Sequence, residues 1–224
     1  GNFKGEVSLD QYEQTRVVLG ISDEFFSYEL KGGEAFYAPE VVMSFSDEGL
    51  ARLSHQYHQL VRRHICRGPY KEKMRPVLIN NWEATYFDFT GEKLIEIAKQ
   101  AAELGVEMLV LDDGWFGKRN DDFSGLGDWV VNERKLGGKL GEVVQKINDM
   151  GMKFGLWIEP EMVSEDSELY RKHPDWAFTI PGRKPVRGRH QLVLDFSRKE
   201  VVDGILEQLF AVLDTINVEY IKMD

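Results

Sequence analysis

One cysteine, Cys66, stands in a chain of 224 residues, so an internal disulfide is excluded and no disulfide scaffold organises the fold. No apolar run approaches the ~18 residues that cross a bilayer, which argues against an integral membrane protein. Cations are outnumbered, 28 Lys and Arg against 38 Asp and Glu for a net charge of −10, and no Lys/Arg cluster offsets that balance. Nucleic acid is therefore not an expected partner. Neither G-x-G-x-x-G nor G-x-x-x-x-G-K-[ST] occurs, so the loops that cradle phosphates are missing. The chain has no leader pattern and no initiator Met. It opens Gly1-Asn2-Phe3, and the expectation is a piece cut from a longer polypeptide. What is present, 42% apolar and 29% charged residues, is globular composition rather than disorder.

Three zones follow one another. Residues 1–45 read as strands: Glu6-Val7-Ser8-Leu9, Thr15 to Gly20, Phe25 to Leu30, and an aromatic and β-branched stretch from Phe36 to Phe45. Lys31-Gly32-Gly33-Glu34 is a hairpin signal between the last two. So few strands bury too little alone, and they are expected to end an antiparallel β domain. Residues 46–75 hold a connecting helix opened by Ser46-Asp47-Glu48, with Leu50, Leu53, Tyr57, Leu60, Val61 and Ile65 on one face and a stop at Gly68-Pro69. From Pro76 five short apolar runs appear: 77–79, 108–111, 154–158, 192–194 and 220–223. Helical segments at 91–104, 139–150 and 198–216 lie between most of them. Near-continuous apolar runs predict strands covered on both faces, and the alternation predicts a parallel βα array. A (β/α)8 barrel takes about 250 residues, so residues 76–224 would supply about five of its units.

In such arrays function collects where the strands deliver their C-terminal ends. Those ends read Asn80-Asn81-Trp82-Glu83, Asp112-Asp113-Gly114-Trp115, Trp157-Ile158-Glu159-Pro160-Glu161, Asp195 and Asp224. Carboxylates and tryptophans at one rim suit a neutral polyhydroxylated ligand, accepting from hydroxyls and packing indole faces on C–H faces. Lys222 and Asp224 are two apart on a strand and share a face, which predicts an ammonium holding that carboxylate ionised. A structural ion pair at the strand edge fits the same spacing. Asp112-Asp113 suggests a sugar diol shared between two acids, with a helix cap or turn as the plainer alternative. Glu159 and Glu161 read as a solvated turn. His55 and His58 read as a solvated helix face rather than a metal site. Trp115 and Trp129 are open between ligand platform and buried packing.

Together, Asn80-Asn81-Trp82-Glu83-Ala84, Leu111-Asp112-Asp113-Gly114-Trp115-Phe116-Gly117, Leu156-Trp157-Ile158-Glu159-Pro160-Glu161-Met162, Arg189-His190-Gln191-Leu192-Val193-Leu194-Asp195 and Tyr220-Ile221-Lys222-Met223-Asp224 resemble α-galactosidases of glycoside hydrolase family 36. The resemblance implies the tail of an N-terminal β-supersandwich in residues 1–45, a connecting helix in 46–75, and the first part of a catalytic (β/α)8 barrel in 76–224. It implies a retaining hydrolase releasing terminal α-linked galactose from substrates such as melibiose or raffinose-type oligosaccharides, through a covalent galactosyl–Asp224 intermediate. By motif, Asp224 matches the nucleophile. Lys222, Asp112, Asp113 and Arg189 match sugar-binding groups, and Trp82 and Trp157 match aromatic walls. Met223 stands where the family usually has Trp. No metal or other cofactor is implied. A cytoplasmic homo-oligomer, such as a tetramer, is implied for the parent enzyme. The family's acid/base aspartate comes from a later strand, so residues 1–224 alone are expected to be inactive. A galactosyl transferase of the same fold, or a non-catalytic sugar-binding fragment, are the alternatives.

Overall fold

The computed structural model describes residues 2–24 and 26–224; Phe25, part of the third expected strand, lies outside them. The chain divides into two compact units, residues 1–74 and 75–224.

In the first unit, β1 (Phe3–Leu9) and β2 (Thr15–Ile21) pair antiparallel from Phe3↔Ile21 to Leu9↔Thr15. Asp10 closes the turn by accepting from the backbone N–H groups of Tyr12 and Gln14 at 2.8 and 2.9 Å. Of the two further strands expected, Phe25 to Leu30 and Phe36 to Phe45, the described residues form neither. Lys31 and Glu34 make the expected turn, Glu34 N–H donating to Lys31 O at 3.0 Å, but the segments on either side enter no ladder. β-propensity describes fit to a pleated, half-buried surface, and without a partner strand it fixes nothing. Helix α1 (Gly49–Leu60) then runs into a wider turn at Val61–Ile65 and stops ahead of Pro69.

The second unit contains, in order, β3 (Leu78–Asn80), α2 (Trp82–Thr85), α3 (Gly91–Glu103), β4 (Met108–Leu111), α4 (Glu133–Leu136), α5 (Leu140–Asp149), β5 (Lys153–Ile158), β6 (Met162–Ser164), α6 (Glu168–Lys172), β7 (Arg187–Gly188), β8 (Gln191–Val193), α7 (Lys199–Leu213) and β9 (Tyr220–Met223). Strands β3, β4, β5 and β9 form one parallel sheet in that order. The inner strand β4 is buried along its whole length, and β5 from Phe154 onward. That double covering is what their unbroken apolar runs require. Helices α3, α5 and α7 supply the crossovers and bury Leu94, Ala98, Val144, Ile147, Val201 and Ile205 in the core.

One of the five expected parallel strands is elsewhere. The run at 192–194 contributes to β8, which pairs antiparallel with β6 and β7 in a separate small sheet. A parallel neighbour needs a crossover of a dozen or more residues, usually helical, and between β5 and β8 the main helix is the five-residue α6. The chain turns back instead. The parallel sheet therefore has four strands, and Asp195 is not at its rim.

Candidate active site

All four parallel strands end on one side of the sheet, and each delivers polar side chains there: Asn80 as the last residue of β3 and Asn81 after it, Asp112 and Asp113 after β4, Glu159 after β5, Asp224 after β9. Asp112 is fixed first from its own backbone. Its N–H donates to Oδ1 of the wholly buried Asn81 at 2.8 Å, while Asn81 Nδ2 donates to Thr85 Oγ1 at 2.9 Å. Its carboxylate then accepts from Asn80 Nδ2 at 2.5 Å, from Lys222 Nζ at 2.6 Å and from the Asp113 N–H at 2.9 Å. Lys222 reaches Asp112 across the intervening strand β5. The expected ammonium at the tip of β9 is present, but its ion pair is with Asp112 rather than with Asp224.

Asp224 closes the rim. Its N–H donates to Ile158 O at 3.0 Å, continuing the ladder with β5, and its Oδ2 faces Trp157 Nε1 at 3.4 Å. Met223 points to the other face and is exposed.

The neighbouring Asp113 takes a separate cation. Arg119, with no exposed surface, donates from Nε to both carboxylate oxygens at 3.0 and 3.1 Å and from Nη2 at 2.8 Å. Burial pushes the Asp113 carboxyl up, the guanidinium pulls it back, and the charge of Asp112 adds to the rise. Adjacent acids thus have their charge shared by two cations, the buried Arg119 and the partly exposed Lys222.

The tryptophans divide. Trp115 and Trp129 are buried packing: Trp115 Nε1 donates to Trp157 O at 3.0 Å, and both rings meet Phe116. Trp157 is not an open wall either. Its ring is 1% exposed and stacks on Phe116 at 6.2 Å, leaving the indole N–H directed at Asp224. Trp82 is half-buried at the end of β3, with Tyr86 and Phe87 edge-on at 5.3 and 5.0 Å.

Glu159 corrects the expectation of a solvated turn. It is 4% exposed and accepts from Arg189 Nη2 at 2.5 Å, while its Oε2 meets no hydrogen-bond partner among the described residues. Burial pushes its carboxyl up; Arg189 opposes that, and the charges of Asp224 and Glu161 add to it. Arg189 does not precede a parallel strand, because the run at 192–194 is not one. It sits at the tip between β7 and β8 with φ +55°, and so reaches the rim from the small antiparallel sheet. His55 and His58 lie on the exposed side of α1, their rings 6.1 Å apart. Among the described residues no three His, Cys, Asp or Glu side chains are grouped as a metal ion would need.

Sequence reasoning missed Asn80 and Asn81 as supports for Asp112, Arg119 behind Asp113, and the Glu159–Arg189 pair. Only the last had a signal, a Glu directly following a strand apolar on both faces. A cleft of about 660 Å³ opens elsewhere, lined by residues of the 117–130 loop, α6 and α7, and includes none of the rim carboxylates named above.

The model of the Melibiase family matches residues 35–224. A bifunctional α-galactosidase/sucrose kinase of Mediterraneibacter gnavus is 59% identical over all 224 residues, which span 24% of its length. Among solved structures, the α-galactosidase AgaB of Geobacillus stearothermophilus superposes with a TM-score of 0.98 at 54% identity, covering 100% of this chain and 31% of that one. Variants of AgaA from the same organism, in complex with stachyose and with raffinose, give TM-scores of 0.95 and 0.96 at 51% identity, each covering 99% of this chain and 31% of theirs. The chain thus spans under a third of the length of these relatives. It belongs to the Melibiase family, glycoside hydrolase family 36.

Proposed function

We propose that residues 1–224 are one segment of a retaining α-galactosidase that removes terminal α-linked galactose from oligosaccharides of the melibiose and raffinose type. The observation that carries this reading is the Lys222–Asp112 bond at 2.6 Å. It ties the strand that presents Asp224 to the strand that presents Asp112 and Asp113, across one rim. The complexes of relatives with stachyose and raffinose support the substrate class. In this reading the four parallel strands are the opening part of a (β/α)8 barrel, and the β1–β2 hairpin ends an N-terminal β-sandwich.

Asp224 is the nucleophile. One of its carboxylate oxygens attacks the anomeric carbon as the bond to the aglycone oxygen breaks, and a carboxylic acid protonates that leaving oxygen. Water, deprotonated by the same group, then displaces Asp224 and restores the anomeric configuration. That acid/base is a carboxyl outside residues 1–224; Glu159, occupied by Arg189, is not given the role. Asp112, Asp113, Lys222 and Arg189 receive or donate to sugar hydroxyls. Trp82 offers a ring face, and Trp157 contributes its indole N–H. The chemistry calls for no cofactor. A cytoplasmic homo-oligomer is part of the same reading, in keeping with a single free cysteine.

The test is to trap the full-length polypeptide with an activated fluoro-galactoside and map the labelled residue by mass spectrometry. The label is expected on Asp224, and Asp224→Asn should abolish turnover. A label on another side chain, or an active Asp224→Asn variant, would overturn the assignment.

A further inference from the structure

The loop that follows β4 does something its position beside the rim does not require. It turns a charged side chain inward. We propose that Arg119 is a positioning residue of this site, holding Asp113 in one orientation as an ionised acceptor for a single sugar hydroxyl. The proposal rests on the reading above, in which Asp113 contacts the sugar.

An ionised carboxylate offers about four acceptor positions, two on each oxygen. Arg119 alone fills about three of them, Nε reaching both oxygens at 3.0 and 3.1 Å and Nη2 reaching Oδ2 at 2.8 Å. About one position remains. The 7% of the Asp113 side chain that stays exposed is where a hydroxyl can approach it. The arginine is held as firmly as the acid. Its Nη1 donates to Ser124 O at 3.2 Å, and its guanidinium lies over the Phe87 ring at 5.6 Å. Gly125 approaches so closely that a Cβ there would stand 2.7 Å from the Arg119 backbone nitrogen.

A buried guanidinium is costly unless it is paired, so packing alone would be better served by an apolar residue of similar volume. The charge balance explains why an arginine stands here. Asp113 faces the carboxylate of Asp112, whose own cation is Lys222, and the ammonium of Lys135 is bonded to Gly114 O at 2.8 Å. Asp122, 3.8 Å from Arg119, draws on the same guanidinium. Without Arg119, burial and Asp112 would both favour protonation of Asp113. A neutral Asp113 would present a donor where an acceptor is needed.

The experiment compares Arg119→Met, Arg119→Lys, Asp113→Asn and the Asp113→Asn/Arg119→Met double variant in the full-length polypeptide. It measures kcat and KM for p-nitrophenyl α-galactoside from about pH 5 to about pH 8, above the ordinary carboxylate range, with Tm alongside. Arg119→Met should raise KM by about tenfold to a hundredfold at the acid end, with the loss shrinking as pH rises. Arg119→Lys keeps the charge without the fork, so it should raise KM by about threefold to tenfold with a pH profile close to the parent's. The double variant should be no worse than Asp113→Asn. A folded Arg119→Met with parental KM at every pH, or with one uniform loss at all pH values, overturns the proposal. If Arg119→Met does not fold, parental KM in Arg119→Lys overturns it. An Asp113→Asn variant with unchanged KM removes the sugar contact itself; an impaired Asp113→Asn beside unimpaired Arg119 variants removes only the role of Arg119.

Discussion

Placing Arg119 depends on a backbone approach that can be tested by adding one carbon. Gly125 has φ +76° and packs directly on the 118–119 backbone: an alanine Cβ would stand 2.7 Å from Arg119 N, 3.0 Å from Lys118 C and 3.1 Å from Arg119 Cα. Gly137, which ends α4 with φ +74°, is its matched control, because a Cβ there meets nothing within 4 Å. The left-handed backbone costs an L-residue about 1–2 kcal/mol at either site. The gain from a stiffer unfolded chain, about 0.4–1 kcal/mol, is also common to both. What separates them is overpacking against backbone that cannot rotate away, about 1–3 kcal/mol. Strain on the Gly125 N–H to Asp166 O bond at 2.8 Å adds about 1 kcal/mol more. Gly125→Ala should therefore be less stable than Gly137→Ala by about 2–4 kcal/mol. Urea unfolding followed by tryptophan fluorescence measures this, since Trp115, Trp129 and Trp157 are all buried in the affected unit. Equal destabilisation of the two variants would refute the steric argument, and with it the account of how the loop aims Arg119.

Burial pulls Lys135 down to about 8 against the attraction of Asp113 and Asp88. Between that value and the ~10.4 of an exposed lysine, the unfolded chain binds a proton that the folded chain has released, so stability should rise with pH across this window. Measured as the difference in unfolding free energy from Lys135→Met, the rise should be on the order of 1–3 kcal/mol, and a flat difference would contradict it. Ile147 is wholly buried where α5 packs into the core, and Ile147→Ala should cost about 2–5 kcal/mol in urea unfolding. A loss below about 1 kcal/mol would show that the helix does not seal there.

The parallel sheet was legible because β4 and β5 are covered on both faces, and only an unbroken apolar run satisfies that environment. The run at 192–194 looks the same in sequence, yet Val193 is exposed between buried Leu192 and Leu194, the alternation of a sheet covered on one face. The missing crossover helix, rather than the run itself, was the informative feature. Asp112, Asp113 and Asp224 were legible because strand ends can be counted. Arg119 was not, since it lies in the irregular loop after β4, and nothing in its spacing from Asp113 predicts that the chain folds it inward. Lys222 was correctly assigned to the rim but given the wrong partner. Strand alternation fixes which face a side chain takes, while the length of a lysine lets it cross a neighbouring strand.

That change of partner bears on the chemistry proposed for Asp224. Had Lys222 gripped Asp224, attack would require the carboxylate to shed a strong charge-assisted bond before reaching the anomeric carbon. With the ammonium drawn to Asp112, the described hydrogen bond to the Asp224 carboxylate is a long one, 3.4 Å from the Trp157 indole, and the backbone N–H to Ile158 O fixes the residue instead. Asp112, by contrast, is held by short bonds from β3 and β9, and Asp113 by the fork of Arg119. Orienting a sugar calls for acceptors that do not move, since a misplaced hydroxyl loses the geometry on which proximity effects depend. A nucleophile calls for an oxygen with little to give up. In the reading proposed above, with Asp224 as nucleophile and Asp112 and Asp113 as sugar acceptors, the two demands fall to different carboxylates, and the lysine's reach across β5 separates them.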